Sequence, residues 1–128
     1  MRRPFIVISS LCGIFLISSA HAQHQYTLNN SNLAESFKRK LQILENKTNT
    51  IDDLSPTEQK NLIAEAQTLH DLSISLSLGP QSGGGIAACV DASEALINFI
   101  KAEITVNRHT NQDWEDYTQN KPTCLSAL

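Results

Sequence analysis

Between Ile86 and Asn107 the apolar positions are Ile86, Cys89, Val90, Leu96, Ile97, Ile100 and Ile104, with Ala92 and Ser93 filling the gap before Leu96. Steps of three and four residues put these side chains on one face of an α-helix. Asp91, Glu94, Asn98, Lys101 and Glu103 are assigned to the opposite, solvent face. Phe99 and Val106 lie off the stripe and widen it, which predicts contact with more than one neighbouring element. Gly83-Gly84-Gly85 precedes the stretch and frees the chain to turn. Asn107-Arg108-His109 ends it, where basic side chains suit the negative pole of a helix. The pattern makes this helix the centre of the fold.

Two helices precede it. Leu33, Phe37, Leu41 and Leu44 step by four, four and three, with Asn32 as cap and Glu35 reaching back, so helix one is read over residues 32–47. Its Lys38, Arg39, Lys40 and Glu45 are expected mainly in solvent. Ser55-Pro56-Thr57-Glu58 is a capping box with proline in the first helical position. Leu54 just before it is placed to pack on Leu62 or Ile63, and helix two continues through Ala66, Leu69 and Leu72. Leu72-Ser73-Ile74-Ser75-Leu76-Ser77-Leu78 alternates strictly, which is a strand signature. No second alternating run exists to pair with it, and a lone strand would leave its backbone groups unsatisfied. Helix to about Leu78 is therefore expected, strand being the alternative. In the helix, Leu69, Leu72 and Leu76 continue the core stripe, while Ile74 and Leu78 form a second one. Gly79-Pro80 stops the element. After the central helix, Thr110 or Asn111 caps a short fourth helix, which Lys121-Pro122 is expected to end.

The amino-terminal pattern changes the picture. Arg2 and Arg3, an apolar run from Phe5 to Ile17, and Ala20-His21-Ala22 make the three parts of a secretory signal peptide. Cleavage is expected after Ala22. The alternative is an uncleaved anchor, for which the run falls short of about 20 residues. Residues 1–22 are thus read as a leader, 23–31 as a flexible polar arm and 32–128 as the folded domain. Loss of Arg2 and Arg3 leaves eight basic against thirteen acidic side chains, a formal charge of −5. Such a domain, without a basic stripe, is a poor binder of nucleic acid or anionic membrane. It suits a basic partner surface. Of three cysteines, Cys12 goes with the leader. Cys89 and Cys124 remain, and in an oxidising compartment they most simply pair. The helix from Cys89 to Asn107 advances roughly 27 Å, a distance the following segment can retrace, so the bridge would pin the tail beside the start of the central helix. In the loop-entropy model it is worth roughly 4 kcal/mol.

Candidate chemistry is sparse. Cys89 could be a nucleophile with His70 or His109 as base, but the disulfide accounts for both remaining cysteines. His70-Asp71 suggests an acid–base pair, yet adjacent helical residues point about 100° apart. His24, His70 and His109 share no ligand spacing, so no metal and no cofactor are expected. The glycine loop lacks the Lys followed by Ser or Thr of a phosphate-binding loop; Ile86-Ala87-Ala88 stands there instead. Asp113, Trp114, Glu115, Asp116 and Tyr117 form the candidate binding patch, with the only tryptophan of the chain. Amphipathic aromatics of this kind are enriched at binding hot spots. The competing reading is that Trp114 simply completes a core poor in aromatics.

These features predict a small all-α bundle of three main helices and a short fourth, held by a Cys89–Cys124 disulfide, in the periplasm or outside the cell. The expected function is non-enzymatic binding of a protein partner, as an inhibitor or toxin-immunity protein acting by surface occlusion. A small secreted hydrolase using His70, Asp71 or His109, and a structural subunit of an envelope or secretion assembly docking through Ile74 and Leu78, are the alternatives.

Overall fold

Helix α1 (Ser18–Thr48) leads through a 3-10 turn (Ile51–Asp53) into α2 (Pro56–Ser77), then α3 (Gly84–Val106) and α4 (Asn111–Ala127). The computed structural model describes residues 18–79, 83–106 and 111–128, with side chains from residue 31 onward apart from Val106 and Asn111. The expected leader up to residue 17, the basic helix end at Arg108 and His109, and the cap at Thr110 lie outside the described residues. Among the described residues there is no strand, and no helix is long and apolar enough to cross a membrane.

Each helix contributes the face its periodicity predicts. Phe37, Leu41 and Leu44 of α1 are buried against Leu62, Ala66, Leu69 and Leu76 of α2 and a long stripe of α3. The α3 stripe holds Ile86, Cys89, Ala92, Ser93, Leu96, Ile97 and Ile100, all buried. It packs against both α2 and α4, as its width implies. Ala92 and Ser93 are small, so neighbouring backbones can approach closely there. Helix α1 begins fourteen residues before the expected start at Asn32, and its backbone is helical through residues 23–31, the expected arm. No proline or glycine interrupts residues 18–48, so Asn32 caps nothing and the helix continues through it.

The capping box of α2 is complete. Glu58 N–H donates to Ser55 Oγ at 3.3 Å, and the Ser55 amide donates to the Glu58 carboxylate at 2.8 Å. These bonds from Ser55 hold the Glu58 pKa below its usual value. Gln59 reaches back to the Ile51 carbonyl at 3.2 Å and ties the 3-10 turn to α2. The alternating segment is helical. Ser73, Ser75 and Ser77 donate their hydroxyls to the carbonyls of His70, Asp71 and Ile74, so each serine is satisfied within the helix. Ser73, rather than Leu72, occupies the fully buried position between Leu69 and Leu76, and Leu72 is half-buried.

Three other expectations are corrected. Helix α4 does not stop at Lys121-Pro122; it runs to Ala127 with Pro122 inside it. The proline removes one helical bond, to the Thr118 carbonyl, but Thr118 is exposed and water can serve that group. Glu103 is not on the solvent face; it is 9% exposed. It lies three residues after Ile100 and seven after Leu96, which places it on the buried stripe whatever its charge. Glu45 is half-buried rather than free in solvent.

Cys89 and Cys124 form the disulfide, with their Cα atoms 4.6 Å apart and both side chains fully buried. With Phe99 and Trp114 in contact at the other end of the pair, α3 and α4 run antiparallel. Beyond the bridge the helices meet tightly: a Cβ added to Gly85 would lie 2.6 Å from Ala127 Cβ.

Two outcomes follow for stability. Replacing both cysteines by serine should cost about 3–4 kcal/mol, read as a lower midpoint in thermal or denaturant unfolding under non-reducing conditions. Gly85→Ala should cost about 1–2 kcal/mol through overpacking on Ala127. Adding Ala127→Gly should recover part of that loss, whereas strictly additive effects would show that the two positions are not coupled.

Candidate functional site

The five residues of the predicted patch separate into two surfaces and a core position. Trp114 and Tyr117 are three apart on α4 and both turn inward. Tyr117 is fully buried, which corrects its inclusion in a surface binding patch. Trp114 is half-buried, its ring 5.0 Å from Phe99 of α3 and 5.2 Å from Tyr117, both contacts tilted. Asp113 and Asp116, also three apart, turn toward α3, while Glu115 is exposed.

Tyr117 owes its place to a polar contact across the bundle. Its hydroxyl donates to Glu45 of α1 at 2.6 Å, and Lys121 donates to the same carboxylate oxygen at 2.5 Å. The Lys121 ammonium also stands 5.9 Å from the centre of the Tyr117 ring. Burial alone would raise the Glu45 pKa, but the hydrogen bonds from Lys121 and Tyr117 and the lysine charge together lower it. Burial, then the bond to Glu45 and its negative charge, push the Tyr117 phenol far above its usual value. This network joins α1 to α4 and is not open to a ligand at the phenol.

Two concave surfaces flank Trp114. One is a half-open cleft of about 350 Å³ at the end of the bundle, lined by Thr48, Asn49, Ile51 and Asp52 on one side and by Phe99, Glu103 and Trp114 on the other. The other is a shallow groove between α3 and α4 of about 330 Å³, lined by Asp91, Glu94, Ala95, Asn98, Asp113, Asp116 and Asn120. Among the described residues its lining carries four carboxylates and no basic side chain, and one of the four, Asp113, already holds an interaction within the chain. Asp116 accepts a hydrogen bond from Gln112 at 2.8 Å, and its carbonyl accepts from Asn120 at 2.9 Å, so this part of α4 is braced from within.

The catalytic candidates fare differently. Cys89 is bonded to Cys124 and carries no free thiol. His70 does not pair with Asp71. Its Nδ1 lies 3.0 Å from Ser93 Oγ, and Ser93 Oγ lies 2.9 Å from Ser73 Oγ. Ser73 and Ser93 also reach the carbonyls of His70 and Val90. A serine beside a histidine is the arrangement of a nucleophile and its base. Here both serines are 0% exposed at the α2–α3 seam, so no substrate atom reaches either oxygen in this conformation. The cluster does satisfy buried hydroxyls, as burial demands. Among the described residues no group of His, Cys, Asp or Glu is arranged to hold a metal ion. The side chain of His24, and His109 altogether, lie outside the described residues.

Periodicity concealed two of these features. Ser93, standing in an apolar stripe, was the signal for a buried polar contact, since a hydroxyl there needs a partner. The cleft draws Asp52 from the 3-10 turn, Phe99 and Glu103 from α3 and Trp114 from α4, three separate stretches of sequence, and no local spacing announces it.

No protein-family model matches the chain, and no curated protein or solved structure matches it significantly.

The Glu45–Tyr117 contact has a pH signature. The folded chain holds the Tyr117 proton more tightly than the unfolded chain, whose phenol ionises near the ordinary value of 10.0. The contribution is therefore whole below that pH and lost above it, at up to about 1.4 kcal/mol per pH unit. Tyr117→Phe should flatten that alkaline slope and cost about 1 kcal/mol at neutral pH. Unfolding midpoints measured from pH 8 to 11 check it.

Proposed function

We propose that this chain is a small exported binding protein without catalytic activity, which acts by covering a basic surface of a protein partner in the periplasm or outside the cell. The reading fits an inhibitor or an immunity protein directed against a toxin. The observation that carries it is the α3–α4 face. Four carboxylates from two helices, Asp91, Glu94, Asp113 and Asp116, line one groove, with no basic side chain in the lining among the described residues. The two helices are fastened by the disulfide, so the face is preorganised and little ordering entropy opposes binding. The acidic net charge of the chain favours encounter with a basic surface. Export is supported by the leader pattern and by a disulfide that persists best in an oxidising compartment.

A specific observation keeps the structural-subunit reading as second. Ile74 is 40% and Leu78 82% exposed on the second stripe of α2, which could dock in an assembly. The hydrolase reading would have to draw on His70 and Ser93, whose oxygen is shielded.

Capture from periplasmic extract with the wild-type chain, Asp113→Lys/Asp116→Lys and Ile74→Ser/Leu78→Ser decides between the two. Loss of the partner with the charge-reversed pair alone, together with weakening at high salt, is the expected result. Loss with the α2 pair alone would favour the assembly role.

A further inference from the structure

We infer that the cleft beside Trp114 receives an arginine side chain of the partner, anchoring a basic segment whose neighbouring residues lie along the acidic groove. This deepens the binding reading above and rests on it. The cleft has the two features that a guanidinium needs. One wall is aromatic, made by Phe99 and Trp114 with centroids 5.0 Å apart. A planar cation stacks on such a wall, and tryptophan is the strongest of the aromatic partners. The other wall carries Asp52, exposed on the 3-10 turn, with its carboxylate available at the mouth.

Glu103 is buried at the cleft's edge and already holds an interaction within the chain. Asp52 is therefore the carboxylate that makes the contact, and Glu103 takes no direct part in it. Among the described residues no lysine or arginine lines the cleft, and its charged lining residues are both acidic. A volume of about 350 Å³ accepts one long side chain. Lysine is the poorer fit, because a strongly hydrated point charge does not stack and reaches the carboxylate with one donor at a time.

A partner segment is favoured over a free amino acid by position. The cleft is half-open, at the end of the bundle. Trp114 lines the cleft and the preceding Asp113 lines the groove, so the two surfaces open on neighbouring faces of α4, about 100° apart. One extended basic segment can occupy both.

Trp114 is the chain's sole tryptophan, so its fluorescence reports the cleft directly. The purified chain is titrated with a blocked Gly-Arg-Gly peptide, the lysine and citrulline counterparts, free arginine, and a longer peptide with lysines flanking the arginine. A saturable change is expected with the arginine peptide, at least about tenfold weaker with neutral citrulline, and tighter when basic neighbours are added. Asp52→Asn should weaken binding about threefold, as befits an exposed ion pair. Phe99→Leu should weaken it further without unfolding the chain, as circular dichroism would verify. Equal binding of citrulline, tighter binding of lysine than of arginine, or no saturable change in a folded chain would overturn the inference. So would free arginine binding as tightly as the flanked peptide, which would make the cleft a small-molecule site. Failure here leaves the wider reading standing if capture of the partner still depends on Asp113 and Asp116; loss of that dependence with the cleft still binding arginine would remove the wider reading alone.

Discussion

The covalent link between Cys89 and Cys124 sets the terms for the rest of the molecule. It joins the first third of α3 to the last turn of α4, with both sulfurs sealed from solvent. A tie at that point fixes where α4 must arrive. Two unusual residues then make sense together. Pro122 stands two residues before Cys124 in a helix it would ordinarily end, and the helix continues past it to Ala127. The lost bond falls on an exposed turn, while the gain is burial of Cys124 and packing of Ala127 and Leu128 against the core. Gly85 supplies the other half of this fit, since any side chain there would meet Ala127. The antiparallel pairing of α3 and α4 is thus over-determined at one end, and the opposite end can carry a cleft without loosening the pair.

The remaining helices are joined by polar contacts set between apolar stripes. Helix α1 reaches α4 through Glu45, which serves both Tyr117 and Lys121. Helix α2 reaches α3 through His70, Ser73 and Ser93. Each cluster is useful because it is complete. Removing one member of a half-buried charge network leaves the others desolvated without compensation, which costs more than the contact itself contributes. The second cluster has a constraint of its own. With His70 protonated at Nδ1, three hydrogens serve four close approaches among two serine oxygens and two carbonyls. Different donor patterns can therefore share one heavy-atom arrangement. Such contacts add little net stability, but they disfavour slipped registers that the smooth apolar faces alone would tolerate.

Much of this architecture was legible from residue spacing. The capping box at Ser55 and Glu58, the apolar stripes and the pairing of the cysteines needed only local chemistry and chain length. The strand-like alternation at residues 72–78 reads as helix because no second alternating run exists to pair with it, and in the structure each serine bonds backward within that helix. What spacing could not show was where charge or proline would yield to tertiary context. Glu103 was placed outside on its charge although its position is that of a core residue, and Glu45 needed a tyrosine seventy-two residues away to explain its burial. Pro122 looked like a stop because local rules know nothing of a disulfide two residues later. The candidate patch was read as one surface, but a helix turns, so five consecutive residues cannot share a face.

Trp114 shows why the choice between core and surface was framed too narrowly. Its ring rests on Phe99 and Tyr117, and in that sense it belongs to the core. It also forms one wall of an open cleft whose opposite side is a turn between α1 and α2. Large rings at the end of a bundle cannot be enclosed on every side, because the helices that would cover them have ended. The exposed remainder is held rigid by the buried part, with few rotamers left to lose on contact with another molecule. That is the physical condition for a hot-spot residue: most of the ordering entropy is spent in folding, and binding then removes from water only the part still wet. The buried Tyr117 hydroxyl and Glu45 hold the ring stack from behind, and under the proposed binding reading they would bear on recognition without touching a ligand.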